Sequence, residues 1–270
     1  VSQEGIVEHL ARAKFEDMFR EGRLPSGNEF ELMPDTVGIG LKVSEVDEKV
    51  PWKRKARQAC ITTKSVAGHE FLGMKVKDQV DFMGSMLDSD VQFLSMAWTA
   101  QNSGTSVRLK EGGVNCPVCG HPHTEIPFGG IEVLHRAAPI GGPDAVFPFE
   151  PADRSILPPT IQSAELYIVD PTWMAARIHV PDNSWTNHEV VRTNRVVSCL
   201  RVRARKPDGS IADGPPRMLS RQGEAMQMRM KLIEEISEAM DRVVPHLNRS
   251  FDFPCPQCGT EASIPFDQGL

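Results

Sequence analysis

The feature that most constrains this chain is the placement of its six cysteines, which fall into two sets of identical spacing. Cys60, Cys116 and Cys119 recur as Cys199, Cys255 and Cys258, each displaced by 139 positions. The last two of each set form a knuckle, Cys116-Pro-Val-Cys119-Gly and Cys255-Pro-Gln-Cys258-Gly. Such a turn directs two thiolates at one metal ion while the glycine takes up positive φ. Two knuckles supply the four ligands of one tetrahedral zinc, so Cys116, Cys119, Cys255 and Cys258 are the expected metal ligands. A closed four-thiolate site leaves no coordination position for a substrate and is structural, not catalytic. A competing arrangement recruits His121 and His123 to the first knuckle, but no histidine follows Cys258.

The recurrence extends past cysteine. Ile126-Pro127-Phe128 is echoed by Ile264-Pro265-Phe266, and Leu87, Val91 and Leu94 fall on Met226, Met230 and Ile233 at the same offset, spaced to line one helical face. The expected fold is therefore α+β: two similar lobes from an internal duplication, each with short strands and one or two helices, joined through the four-cysteine zinc site. The expected divisions are an N-terminal helix over 1–23, a first lobe over 24–136, a Pro/Gly-rich linker over 137–163 and a second lobe over 164–270.

Within these divisions, Gln3 to Arg20 has the spacing of a short amphipathic helix. Alternation over Phe30 to Val46 predicts a half-buried strand, and Ala59–Thr63 and Phe71–Met74 suggest further strands. Asp78 to Gln101 reads as helical, with Asp88-Ser-Asp90 breaking it and capping a second helix. In the second half, Ala164–Val169, Trp173–Val180 and Arg195–Ala204 are strand-like, with a turn at Pro207-Asp208-Gly209, and Arg221 to Val244 is the strongest helix. Cys60 and Cys199 are expected as buried thiols within apolar strands.

A formal net charge of −6 argues against a general nucleic-acid binder, although Lys53–Arg57 and Arg201–Lys206 are local basic runs. With one Tyr in the chain there is little to stack bases. No apolar stretch is long enough for a membrane span, no signal-peptide pattern opens the sequence, and knuckle-spaced cysteines suit a reducing compartment, so a soluble intracellular protein is expected. No nucleophile elbow, phosphate loop, dinucleotide fingerprint or zinc-protease motif is found, so the chain is not expected to be an enzyme.

An ordered string of motifs adds a family resemblance. Leu24-Pro25-Ser26-Gly27, an extended segment ending Val46-Asp47-Glu48, Leu87-Asp88-Ser-Asp90 leading a helix, the first knuckle and the Ile126-Pro127-Phe128 tail follow one another over residues 24 to 130. In this order the chain resembles the T-even-type phage baseplate family, the hub and hub-assembly proteins of contractile tails. The second half lacks a clear Leu-Pro-Ser-Gly entry. The resemblance implies a non-catalytic component of a tail baseplate or related injection machine, assembled in the host cytoplasm, located in the virion and contacting other tail or baseplate proteins. The alternatives are a nucleic-acid-binding zinc-ribbon accessory factor and a tail assembly chaperone absent from the mature particle.

Overall fold

The computed structural model describes residues 10–104, 106–108, 114–136, 145–180, 188–206, 208–220, 223–248 and 250–265. It is an α+β structure of short helices and small antiparallel sheets. Among the described residues no helix is long and apolar enough to cross a membrane.

The chain enters as strand β1 (Leu10–Lys14) and helix α1 (Phe15–Glu21). Part of the expected N-terminal helix is thus a strand, while residues 1–9 lie outside the described residues. Strand β2 (Phe30–Leu32) keeps the start of the strand expected over Phe30 to Val46, but helix α2 (Val37–Ser44) takes most of the rest, and helix α3 (Pro51–Thr62) takes most of Ala59–Thr63, also expected as strand. The Thr36 hydroxyl accepts from Ile39 N and caps α2, and the alternation that imitates a strand comes from Gly38 and Gly40 set between aliphatic residues. In α3, Pro51 opens the helix and Trp52, Ala56, Ala59 and Cys60 are buried at helical spacing, so Cys60 is a buried thiol of a helix.

Strands β3 (Thr63–Val66) and β4 (His69–Glu70) complete a sheet of order β2-β3-β4, and Phe71–Met74 forms a turn instead of the expected strand. Helices α4 (Val76–Ser85) and α5 (Asp88–Ser103) bear out the divided helical segment, but the break falls at Met86-Leu87, and Asp88 opens α5 without capping it. Four short strands then flank the first knuckle: β5 (Ser106–Arg108), β6 (Val114–Asn115), β7 (Pro122–His123) and β8 (Glu125–Pro127). Phe128 drops into the core, 5.4 Å from Phe15 ring to ring, and β9 (Glu132–Arg136) returns along β1.

The Pro/Gly-rich stretch contributes β10 (Val146–Phe149), which pairs with β11 (Glu165–Val169) as an edge strand, the position in a sheet that accommodates Pro148. Trp173–Arg177 is a helix, α6, capped by Thr172, where a strand was expected. The segment expected as strand from Arg195 divides at Cys199: helix α7 (His188–Cys199) ends there and β12 (Leu200–Arg203) begins. Strand β13 (Arg217–Met218) completes the order β10-β11-β12-β13. A turn does lie at Asp208-Gly209, with Gly209 N donating to Lys206 O, while Pro207 is outside the described residues.

The last helix, α8 (Met230–Val243), starts later than expected. Met226 and Met230 are 76% and 59% exposed, whereas the residues aligned with them, Leu87 and Val91, are buried, so that part of the matched helical face is not shared. Strand β14 (His246–Leu247) joins β1 and β9, and β15 (Ser250–Pro254) and β16 (Glu261–Pro265) form the second knuckle's hairpin.

Two hydrophobic clusters result. One gathers α1, α3, α4 and α5, and the other lies between the β10–β13 sheet and α7 and α8. The halves are nevertheless stitched together, because Trp173 and Leu247 belong to the first cluster and Trp173 Nε1 donates to Trp52 O at 3.0 Å. Main-chain bonds from Asp88 N to Pro171 O and from Trp173 N to Met86 O tie the α4–α5 break to the start of α6.

Behind that seam lies a buried cluster of charge. Asp88 meets Arg177 at 3.1 Å and Arg195 at 2.9 Å, and Arg136 lies 3.8 Å from Asp170, with every one of these side chains 8% exposed or less. Gln92 Nε2 also donates to Asp88, at 2.6 Å. Removing one member of such a set strands its partners without solvent, which costs about 3–5 kcal/mol. Asp88→Ala is accordingly expected to destabilise the chain by about that amount in urea denaturation, far more than removal of an exposed pair such as Lys64 and Glu31.

Asp90, beside this cluster, is pushed up to about 6 by burial, against the lowering effect of hydrogen bonds from Ser26 and of the Arg136 charge. Burial likewise holds the Asp170 carboxyl well above the usual range. A carboxyl raised in the folded state contributes stability below its unfolded pKa, near 4, and loses it as pH rises through the folded value. Asp90→Asn can still accept from Ser26 N. It is expected to raise stability by about 1–3 kcal/mol at pH 7.5, with the gain shrinking toward pH 4 in a series of thermal melts.

Candidate metal centre

Each knuckle is the tight turn of a β-hairpin. β6 pairs with β7 ahead of and behind Cys116–Gly120, and β15 pairs with β16 around Cys255–Gly259. The two turns share one hydrogen-bond scheme. Gly120 N donates to Cys116 O at 2.9 Å and Cys116 N to His121 O at 2.8 Å, while Gly259 N donates to Cys255 O at 2.8 Å and Cys255 N to Thr260 O at 2.9 Å. Gly120 and Gly259 have φ of 73° and 71°, a conformation that a side chain would strain.

The knuckles meet because both hairpins hang from one sheet. β9 leaves the first knuckle and β14 leads into the second, and these strands pair directly, Leu134 with His246 and Val133 with Leu247. The consequence is a cluster in which the sulfurs of Cys116, Cys119, Cys255 and Cys258 all lie within 4.8 Å of one another. Across the knuckles, Cys116 Sγ is 3.8 Å from Cys258 Sγ and Cys119 Sγ is 3.7 Å from Cys255 Sγ. Sulfurs about 2.3 Å from a tetrahedral zinc would stand roughly 3.8 Å apart. The spacing, the soft donor set and the number of ligands therefore fit a metal ion such as zinc.

The first cysteine of each knuckle is buried and the second exposed, so the cluster has one face in protein and one toward solvent. The thiols are also electrostatically unequal. Hydrogen bonds from the Thr260 side chain and main chain draw Cys258 down to about 6, and main-chain N–H groups of Cys119 and Val118 lower Cys116. For Cys119, a main-chain hydrogen bond from His121 pulls in the same direction, but burial and the neighbouring sulfurs prevail and raise the thiol to about 12. A divalent cation would replace this uneven sharing of protons with four sulfur–metal bonds.

All four ligands expected from the sequence are brought together. His121 and His123 are not: their rings stack edge to face 5.4 Å apart, and the donor group formed among the described residues is all sulfur. Cys60 and Cys199 are 3% and 0% exposed. Burial raises both thiols, Cys60 to about 12 and Cys199 further still, and the Cys60 thiol donates to Gln79 O at 3.2 Å. They are inert packing groups away from the metal centre. The buried charges at Asp88, Arg136, Asp170, Arg177 and Arg195 were not anticipated; the only sequence signal was the pair of acids at the head of α5, which has the appearance of ordinary helix-end chemistry.

No protein-family model matches the chain, and neither a curated protein nor a solved structure matches it. Cys258→Ser is expected to abolish stoichiometric zinc retention after dialysis and to lower the melting temperature to that of the wild-type chain treated with a strong chelator, whereas Cys60→Ser should retain the metal.

Proposed function

We propose that the chain is a non-catalytic assembly adaptor: two related units, derived from an internal duplication, clamped by one structural zinc on Cys116, Cys119, Cys255 and Cys258. The observation that carries this reading is the four-sulfur cluster, in which each half supplies two ligands and no position is left for a substrate. Metal affinity then becomes folding energy and fixes the relation of the halves.

The duplication draws support from the order of elements. In the first half, β2, α3, β3, β4 and α5 lead to a knuckle; in the second, β11, α7, β12, β13 and α8 do the same. In each set the strand that follows the cysteine-bearing helix is flanked by the other two. Cys60 lies in the last turn of α3 and Cys199 ends α7. The halves differ elsewhere: β1, α1 and α4 occur in the first half and β10 in the second, and four short strands flank the first knuckle against two at the second.

The place of action we propose is the baseplate of a contractile phage tail or a related injection machine, in contact with other tail proteins. This placement rests on the ordered motifs of residues 24 to 130 alone. A nucleic-acid role is less favoured. Arg54 Nε is engaged by Glu48 O, Arg201 by Ser198 O and Leu200 O, and Arg203 lies over the Tyr167 ring, so these basic groups are committed within the fold.

Quantitative mass spectrometry of tail-bearing particles purified from cells carrying this gene tests the proposal. A small fixed copy number per particle is expected. Abundance in the lysate with absence from particles would contradict a structural role and point to an assembly chaperone or a nucleic-acid factor.

A further inference from the structure

The four-sulfur cluster has a second way to close. Two of its contacts run across the knuckles, Cys116 with Cys258 at 3.8 Å and Cys119 with Cys255 at 3.7 Å, and each joins one half of the chain to the other. The sulfurs of a disulfide stand about 2.05 Å apart, so each sulfur of such a pair would advance by roughly 0.9 Å to form one. In both pairs one thiol is exposed and the other buried: Cys258 is exposed opposite buried Cys116, and Cys119 is exposed opposite buried Cys255. An oxidant in solution therefore reaches one sulfur of each pair first, and a protected sulfur stands behind it to resolve the product.

Pairing within a knuckle is less well prepared. Such a bond would close inside a turn already pinned by main-chain hydrogen bonds, Gly120 to Cys116 and Cys116 to His121 in the first, Gly259 to Cys255 and Cys255 to Thr260 in the second. A bond between knuckles needs only side-chain rotation across hairpins that β9 and β14 already hold together. The four thiols also pair off without remainder, because the chain's other cysteines, Cys60 and Cys199, are buried and stand outside the cluster. The two outcomes differ in what they do to the halves. Cross-knuckle bonds tie positions 142 and 136 residues apart and so constrain the unfolded chain strongly, whereas bonds within the knuckles leave the halves unlinked.

We propose that oxidation by a peroxide converts the cluster into two cross-knuckle disulfides, Cys116–Cys258 and Cys119–Cys255, so that the halves stay clamped once the metal has left. In each pair the exposed thiolate attacks the peroxide and becomes a sulfenic acid, and the buried thiolate then displaces its hydroxyl group to form the S–S bond. Two electrons pass from the pair of thiolates to one hydrogen peroxide, which takes up two protons and leaves as two waters. The proposal rests on the zinc reading for the reduced state of the cluster. Under the adaptor reading it serves a component assembled in a reducing cytoplasm and carried outside in a particle, where thiols are oxidised.

Hydrogen peroxide added to the purified, zinc-loaded full-length chain tests it, with zinc release followed by a chromogenic chelator, disulfides mapped in non-reducing digests by fragmentation mass spectrometry, and a thermal melt of the product. Loss of the bound zinc is expected, with Cys116 joined to Cys258 and Cys119 to Cys255, and a melting temperature above that of the reduced, metal-free chain. Dithiothreitol with added zinc should restore the starting state. Cys60→Ser should form the same two bonds, and Cys258→Ser only the bond between Cys119 and Cys255. Bonds within the knuckles, bonds between chains, sulfinic or sulfonic acids in place of disulfides, thiols that stay unreacted, or an oxidised chain that melts no higher than the reduced metal-free one would overturn the proposal. Metal quantification at the outset separates its failure from that of the zinc reading. A chain that holds no zinc yet forms both cross-knuckle bonds would defeat the zinc reading and bear out the pairing, whereas one that holds zinc and oxidises within each knuckle would defeat the pairing alone.

Discussion

The convergence of four thiols, two from each half of the chain, is the constraint on which the arrangement depends. Sulfurs separated by more than a hundred residues meet only if the second hairpin is delivered to the first, and pairing of β9 with β14 does that. Closing so long a loop is entropically unfavourable, and the β9–β14 pairing that closes it is short, Leu134 with His246 and Val133 with Leu247. A tetrahedral cation would supply the missing stabilisation at the point where the loop closes.

The buried charges form the second half of the same design. Asp88 and Asp90 come from the head of α5, Arg136 from β9, and Arg177, Arg195 and Asp170 from the second half. Three carboxyl groups lie among three guanidinium groups, at 2.9 to 3.8 Å for the pairs Asp88–Arg195, Asp88–Arg177 and Asp170–Arg136. Replacing such a cluster with apolar residues often costs little, whereas removing or misplacing one member strands the others, so the set penalises a wrong apposition of the halves more than it adds stability. Apolar packing of Trp173 into the first core, by contrast, supplies adhesion without dictating register. The four-sulfur cluster and the charge cluster thus each bring together residues of both halves.

Much of the four-cysteine cluster was legible in the sequence because a knuckle is a local device. The cysteine spacing, the proline and the terminal glycine determine its turn, and repetition identifies the partner turn. Secondary structure was legible where periodicity was strong, as in α5 and the body of α8. It misled where short apolar runs were ambiguous: Val37 to Ser44 alternates like a strand, yet the Thr36 cap makes it a helix, and Cys199 sits at the junction where α7 becomes β12. Trp173–Arg177 similarly became helical under the Thr172 cap. The charge cluster was invisible because its members are distant in sequence, and each alone resembles an ordinary surface residue. The role of the Pro/Gly-rich stretch as the source of an edge strand depends on a partner strand that no local pattern announces.

X-ray absorption spectroscopy of the zinc-loaded chain, combined with metal quantification, tests the central claim most directly. One zinc per chain with four sulfur neighbours at about 2.3 Å is the predicted result. Nitrogen neighbours, two ions per chain, or failure to retain zinc would contradict a single clamp shared between the knuckles.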